Sequence, residues 1–180
     1  MNEYFLLFNR IEWALIFIAF AVCFQSPNIR WLIGNIIVLK TVDILTIGII
    51  VQWGAFYYLA ISLYDVVIIS MILKRQKTAG YIASLKIPWL SRLARSSAQY
   101  YNLTSNEISL IILYLFSIVI NLASLAERLI RKYSEFDPMF IYNNYPMAKF
   151  VVTVLSVLIL CSLAINGANN IYQDRKSNKL

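Results

Sequence analysis

Residues 31–50 read WLIGNIIVLKTVDILTIGII, a run that is apolar almost throughout but holds Lys40 and Asp43 near its middle. Twenty residues of helix rise about 30 Å, the thickness of a bilayer's hydrocarbon core. Trp31 and Trp53 bracket the run as interfacial belt residues do, roughly 33 Å apart at 1.5 Å per residue. A charge in hydrocarbon costs at least roughly 2.5–3.5 kcal/mol on insertion scales, so a membrane helix that keeps two of them gives them partners. This stretch therefore reads as a transmembrane helix with polar business at its centre.

The flanking sequence extends the same pattern. Upstream, residues 5–24 form a first apolar segment interrupted by Asn9, Arg10 and Glu12, and residues 25–30 make a polar turn around Pro27. Downstream, Gln52-Trp53-Gly54 reads as a tight reversal into a third span, residues 55–73, which carries Asp65 and stops at Lys74-Arg75-Gln76-Lys77. Thr104-Ser105-Asn106-Glu107 fits a capping box, in which Thr104 caps the helix start and Glu107 reaches back. It opens a fourth span, residues 108–126, whose apolar spacing persists through residue 132. Asp137-Pro138 and Tyr145-Pro146 mark a loop before a fifth span, residues 147–165. The expected fold is all-α: a polytopic membrane helical bundle forming a single membrane domain over residues 1–180. It has about five transmembrane helices, four if the first is interfacial, plus one amphipathic helix on the cytoplasmic side.

Composition agrees with that reading. Hydrophobic residues make up 60% of the chain and charged residues 14%, against about 25% charged in soluble domains, too few to wet a soluble surface. The net charge of +7 does not call for nucleic acid, because the basic residues gather in loops beside spans. One set of loops holds Arg30, Lys74, Arg75, Lys77, Lys86, Arg92, Arg95, Arg175, Lys176 and Lys179. The other holds Arg128, Arg131, Lys132 and Lys149, offset by Glu127, Glu135 and Asp137. The positive-inside bias then puts the N terminus outside and the C terminus inside, expected here in a bacterial inner membrane, with anionic lipid as the counter-charge. There is no histidine, and Cys23 and Cys161 form no CxxC, so neither a metal site nor a cofactor is expected and the cysteines read as small packing residues. Met1–Leu7 lacks the basic start of a secretory signal peptide.

Residues 74–104 are the cytoplasmic basic segment. Pro88 suits the first position of a helix, and Trp89, Leu90, Leu93, Ser97 and Tyr100 fall on one face with Arg92, Arg95 and Gln99 on others. Lys86, Trp89, Arg92 and Arg95 are the candidate docking residues, for a lipid surface or for a soluble protein. The helix is read foremost as a surface anchor.

Depth follows from reflecting each hairpin about its turn, because both arms rise equally per residue. Reflection about Gln52-Trp53 levels Lys40 with Asp65, and reflection about Pro27-Asn28 levels Glu12 with Asp43. Glu12, Lys40, Asp43 and Asp65 then converge as an intramembrane polar cluster, with Lys40 bridging to Asp65 or Asp43. The remaining carboxyls would be protonated, hydrogen-bonded, or facing water or a cation. Such a cluster serves structural pairing first, an ion or proton pathway second, and ligand recognition third. Asn121 and Asn166 read as inter-helix hydrogen-bonding residues, and Ala164, Gly167 and Ala168 as a close-packing face.

No nucleophile with a base at recognisable spacing, glycine-rich phosphate loop or paired metal-binding acids stands in the chain, so an enzyme and catalytic residues are not expected. The expected function is a non-enzymatic membrane subunit, homo-oligomeric in that its small-residue face invites self-association. It would act as a sensor or anchor that docks a soluble partner through its basic face. The abundance of isoleucine, asparagine and lysine points to AT-rich coding and hence to a bacterial conflict, phage-defence or toxin-immunity setting. The alternative is an oligomeric ion or proton channel built on the acidic cluster.

Overall fold

The computed structural model describes residues 3–23, 26–84, 88–99, 103–135 and 137–177. Seven α-helices account for nearly all of them: α1 (Glu3–Val22), α2 (Pro27–Ile50), α3 (Phe56–Leu73), α4 (Arg75–Ala83), α5 (Pro88–Gln99), α6 (Ser105–Tyr133) and α7 (Phe140–Ser177). Among the described residues, four stretches are long and apolar enough to cross a membrane: Pro27–Trp53, Phe56–Leu73, Ser105–Tyr133 and Phe140–Asn169. Within α1 the apolar stretch is shorter, Ile11–Val22. The helix runs antiparallel to α2, with Glu12 opposite Lys40 and Phe20 against Gly34, so it lies alongside the bundle's long helices.

The polarity of α6 is inverted relative to a soluble helix. Its buried face runs Glu107, Leu110, Tyr114, Ser117, Asn121, Ser124 and Glu127, a three-four spacing that keeps one stripe against its neighbours. Glu107, Ser117 and Asn121 are wholly buried, whereas Ile112 and Val119 are 61% exposed. Leu45 and Leu63 on α2 and α3 are likewise turned outward, at 74% and 64%. Polar groups inside and large aliphatics outside are stable only when the surroundings are hydrocarbon. The chain is a helical membrane protein.

The interior divides by depth. Next to α4 and α5, the bundle is filled by Ile16, Ile33, Ile36, Ile72, Leu110 and Leu160. Farther from them, the same helices bury Glu12, Asp65, Ser117 and Asn121. Gly167 on α7 faces Ile29 of α2, close enough that a Cβ there would collide with its side chain, so α7 and α2 meet through the small-residue face within one chain. Asn166, beside it, is exposed.

Two details of the chain path differ from the sequence reading. The α2 rise continues through a 3-10 turn, Val51–Trp53, and the chain reverses at Gly54, whose φ of 63° only glycine adopts readily. Tyr145-Pro146 is not a loop: α7 starts at Phe140 and Pro146 sits in its second turn. Pro146 has no N–H to give the carbonyl four residues back, so the second turn of α7 loses one intrahelical hydrogen bond. The first turn is held instead from α6, where Glu127 accepts from the amides of Ile141 (3.0 Å) and Tyr142 (2.6 Å).

Candidate functional site

The basic segment folds into a platform of two helices, α4 and α5, where the sequence suggested one. Arg75 opens α4 and is wholly buried, paired with Glu107, which is also wholly buried. The second oxygen of Glu107 accepts from Thr104 N at 2.8 Å while Glu107 N donates to Thr104 Oγ1 at 3.3 Å, so the capping box forms and shares its carboxylate with the platform. On α5, Leu93, Ala94 and Ser97 are buried, and Leu93 and Ala94 pack with Trp31 of α2 and Ala79 of α4. Part of the helix's inward face is thus spent on the protein's own α2 and α4, while Leu90 and Tyr100 of the expected apolar face lie outside the residues whose side chains are described. Arg92 and Arg95 are exposed. Lys86 and the side chain of Trp89 lie outside the described residues.

The intramembrane charges form a constellation whose pairing differs from the expected one. Lys40 bridges to Glu12, not to Asp65 or Asp43. The reason is register. Thr46 of α2 meets Tyr64 of α3 at 2.6 Å between hydroxyls, which puts the mirror point of that hairpin at Ala55. The extra 3-10 turn thus shifts Lys40 more than a helical turn's length away from the level of Asp65, at 1.5 Å per residue.

Asp65 finds its partners on α6 and α7. Its Oδ2 accepts from Ser117 Oγ at 2.7 Å and from Asn121 Nδ2 at 3.1 Å. Lys149 Nζ stands 3.8 Å from the same oxygen and donates to Ser117 Oγ at 2.6 Å, so Ser117 carries a hydrogen bond from the cation to the anion. One turn along α7, Tyr145 OH donates to Asn121 Oδ1 at 2.9 Å and its ring stands edge-on to Tyr58 at 5.1 Å. Sequence reasoning assigned Lys149 to an outer loop and overlooked Ser117 and Tyr145. The signal that finds them is a mirror. Asn106 with Ser162, Ser117 with Lys149, Asn121 with Tyr145 and Glu127 with Ile141 all pair about Tyr133–Ser134.

Searches against protein-family models, curated proteins and solved structures found no match to this chain. Its chemistry is read from the geometry alone.

Magnitudes decide what the Asp65 network can do. An ion pair at about 4 Å contributes roughly 4 kcal/mol at an effective dielectric near 20. Inserting an aspartate and a lysine costs roughly 2.5–3.5 kcal/mol each. Two inter-helix hydrogen bonds add about 0.6 kcal/mol apiece. The sum is near zero, so the network does not drive assembly; it selects the one arrangement of α3, α6 and α7 in which the charges are covered. Asp43 is treated differently. It feels Lys40, Lys149 and Glu12 electrostatically, yet its Oδ1 is buried and accepts no hydrogen bond among the described residues. The constellation thus holds three acids, Glu12, Asp43 and Asp65, against two bases, Lys40 and Lys149.

Proposed function

We propose that the chain is a non-enzymatic membrane subunit that holds a folded, basic platform at the cytoplasmic surface to receive an acidic soluble partner. The observation that carries this reading is the construction of the platform. A lipid anchor needs only a loose amphipathic helix with its apolar face turned to the bilayer. Here Leu93 and Ala94 are used internally, a buried Arg75–Glu107 pair ties α4 to α6, and Arg92 and Arg95 are left outward on a rigid support. Rigid presentation lowers the ordering cost of binding. The positive-inside bias supports a cytoplasmic location for this face, and the composition supports a bacterial inner membrane and a conflict, phage-defence or immunity setting.

Exchanging both Arg92 and Arg95 for glutamate is expected to release a soluble protein that co-purifies from the native host in mild detergent, at least about tenfold by mass-spectrometric ratio, given roughly 1 kcal/mol or more for each charge reversed. The bundle's oligomer mass should stay unchanged. Retained partner at wild-type stoichiometry would return the platform to a lipid-facing role.

The buried Asp43 oxygen, which accepts no hydrogen bond among the described residues, favours a second reading, an oligomeric cation or proton path. One copy is closed by the Ile33, Ile36 and Ile72 layer between the charges and the platform, so a path needs several copies or a displaced helix. Asp43→Asn should then abolish proton flux into liposomes while the protein still inserts; unchanged flux, or none in the parent, removes this reading.

A further inference from the structure

The two halves of the platform are held by different means. α4 is tied to α6 by the buried Arg75–Glu107 pair. Among the described residues, no hydrogen bond or ion pair crosses from a side chain of α5 to another helix: Ser91 Oγ and Arg92 Nε both donate to Pro88 O, within α5 itself. What docks α5 is packing of Leu93 and Ala94 on Trp31 and Ala79, with Ile82 and Ala83 partly buried beside them. The three alanines bring little apolar area to that contact. The seam also holds two polar groups without partners. Ser97 is wholly buried and shares a face of α5 with Leu93 and Ala94, four and three residues before it. Its Oγ has no hydrogen-bond partner among the described residues, and neither has the indole Nε1 of Trp31, a residue 5% exposed. Elsewhere in this chain buried hydroxyls are provided for: Ser62 and Ser124 donate to the carbonyls four residues back, at 2.9 and 2.8 Å. A buried donor that leaves water without finding a partner carries its full desolvation penalty.

We infer that α5 is a detachable arm, docked on α2 at the expense of the Trp31 N–H and the Ser97 hydroxyl and released without disturbing α4. Release returns both groups to polar surroundings. Trp31 stands at the start of the α2 span, where an indole keeps its ring against apolar groups and gives its N–H to water or headgroup oxygens. α4 stays behind, because Arg75 and Glu107 cannot part without leaving a charge buried alone. Once off α2, a helix of 12 residues is too short to persist in water, so its backbone opens with it. Arg92 and Arg95 ride on this arm, so docking decides whether they stand as a fixed face on the bundle or on a free segment. Only that last consequence rests on the soluble-partner reading; the arm itself is argued from the seam.

The test is amide hydrogen exchange of the full chain in lipid nanodiscs, read by mass spectrometry on peptides from α4 and α5. In the parent, amides of residues 92–97 are expected to exchange at least about tenfold faster than those of residues 79–83, because α5 opens by itself. Ser97→Ala removes one unpaired donor from the seam and should slow exchange in α5 about tenfold, leaving α4 as it was. Ser96→Ala makes the same gain in helix propensity on the flank of the same helix, and should slow it by about twofold or less. A gain from Ser97→Ala no larger than that from Ser96→Ala would overturn the inference. Faster exchange in Ser97→Ala would overturn it too, since the hydroxyl would then be bonded through water and pin α5 in place. So would equal exchange of α4 and α5 in the parent, the platform then opening as one piece. None of these readouts needs a bound partner, so failure here leaves the partner face standing, and loss of that face leaves the arm.

Discussion

Arg75→Ala is expected to cost about 3–5 kcal/mol and to loosen the platform from the bundle, the largest effect of any single change outside the apolar core. Both members of the Arg75–Glu107 pair are wholly buried, so removing the cation leaves a carboxylate without water to solvate it. Glu107 cannot simply turn away, because its other oxygen holds Thr104 N and thereby the start of α6. Glu107→Gln should also destabilise the junction, because it takes away the charge that Arg75 meets in the interior. The informative variant is the double exchange Arg75→Met with Glu107→Gln. It removes both charges, keeps an acceptor for Thr104 N, and should recover most of the loss, since a buried pair is often replaceable by a neutral one of similar volume. Denaturation midpoints in mixed micelles, with trypsin cleavage at Lys74 and Lys77 as the local reporter, would show it. Singles that unfold and cleave like the parent would mean the pair is solvated and the platform held by other contacts.

Asp65→Leu should follow closely, at about 3 kcal/mol or more, and its damage should be spread over three helices. The change strips acceptors from Ser117 and Asn121 and leaves Lys149 paired only to a hydroxyl. A half-buried cation without its anion and two orphaned donors each carry a desolvation penalty. Asp65→Asn keeps one acceptor oxygen and should cost only about 1–2 kcal/mol, the charge-pair contribution net of desolvation. Combining Asp65→Leu with Lys149→Met removes the cation as well and should restore part of the stability. If Asp65→Leu proved as stable as Asp65→Asn, the network would be incidental to packing, and the α3–α6–α7 arrangement would have to come from its apolar contacts.

The parts of this fold that were legible in the sequence are those fixed by local chemistry. The capping box at Thr104 and Glu107 needs only four consecutive residues, and it forms as expected. The helical membrane fold follows from hydropathy, and the buried positions of Glu12 and Asp65 follow from the cost of charge in lipid. Pairing was not legible to the same depth, because it depends on where each hairpin turns. Moving a turn by two or three residues displaces the facing side chains by twice that number of residues, about 6–9 Å along the axis, enough to exchange one partner for another. Placing the α2–α3 reversal at Gln52-Trp53 rather than Ala55 was such a shift, and it gave Lys40 the wrong acid. Treating Pro146 as a loop residue was another, and it removed Lys149 from the interior altogether. Arg75 illustrates a further limit. It stands in the run Lys74-Arg75-Gln76-Lys77, where nothing in the neighbouring residues distinguishes the one that is buried against Glu107 from those that meet water.

The Asp65 network is also a constraint on biogenesis. Its anion is carried by α3, its hydroxyl and amide by α6, and its cation by α7, so the groups leave the ribosome in that order. From the moment α3 enters the bilayer, the cell holds an aspartate in lipid whose counter-ion has yet to be translated. Ser117 and Asn121 offer interim hydrogen bonds, and Lys149 closes the account only when the last long helix is inserted. A nascent chain stalled or truncated between α6 and α7 would therefore expose an uncompensated charge within the membrane, a feature that quality-control proteases and insertases can recognise, while a finished chain hides it.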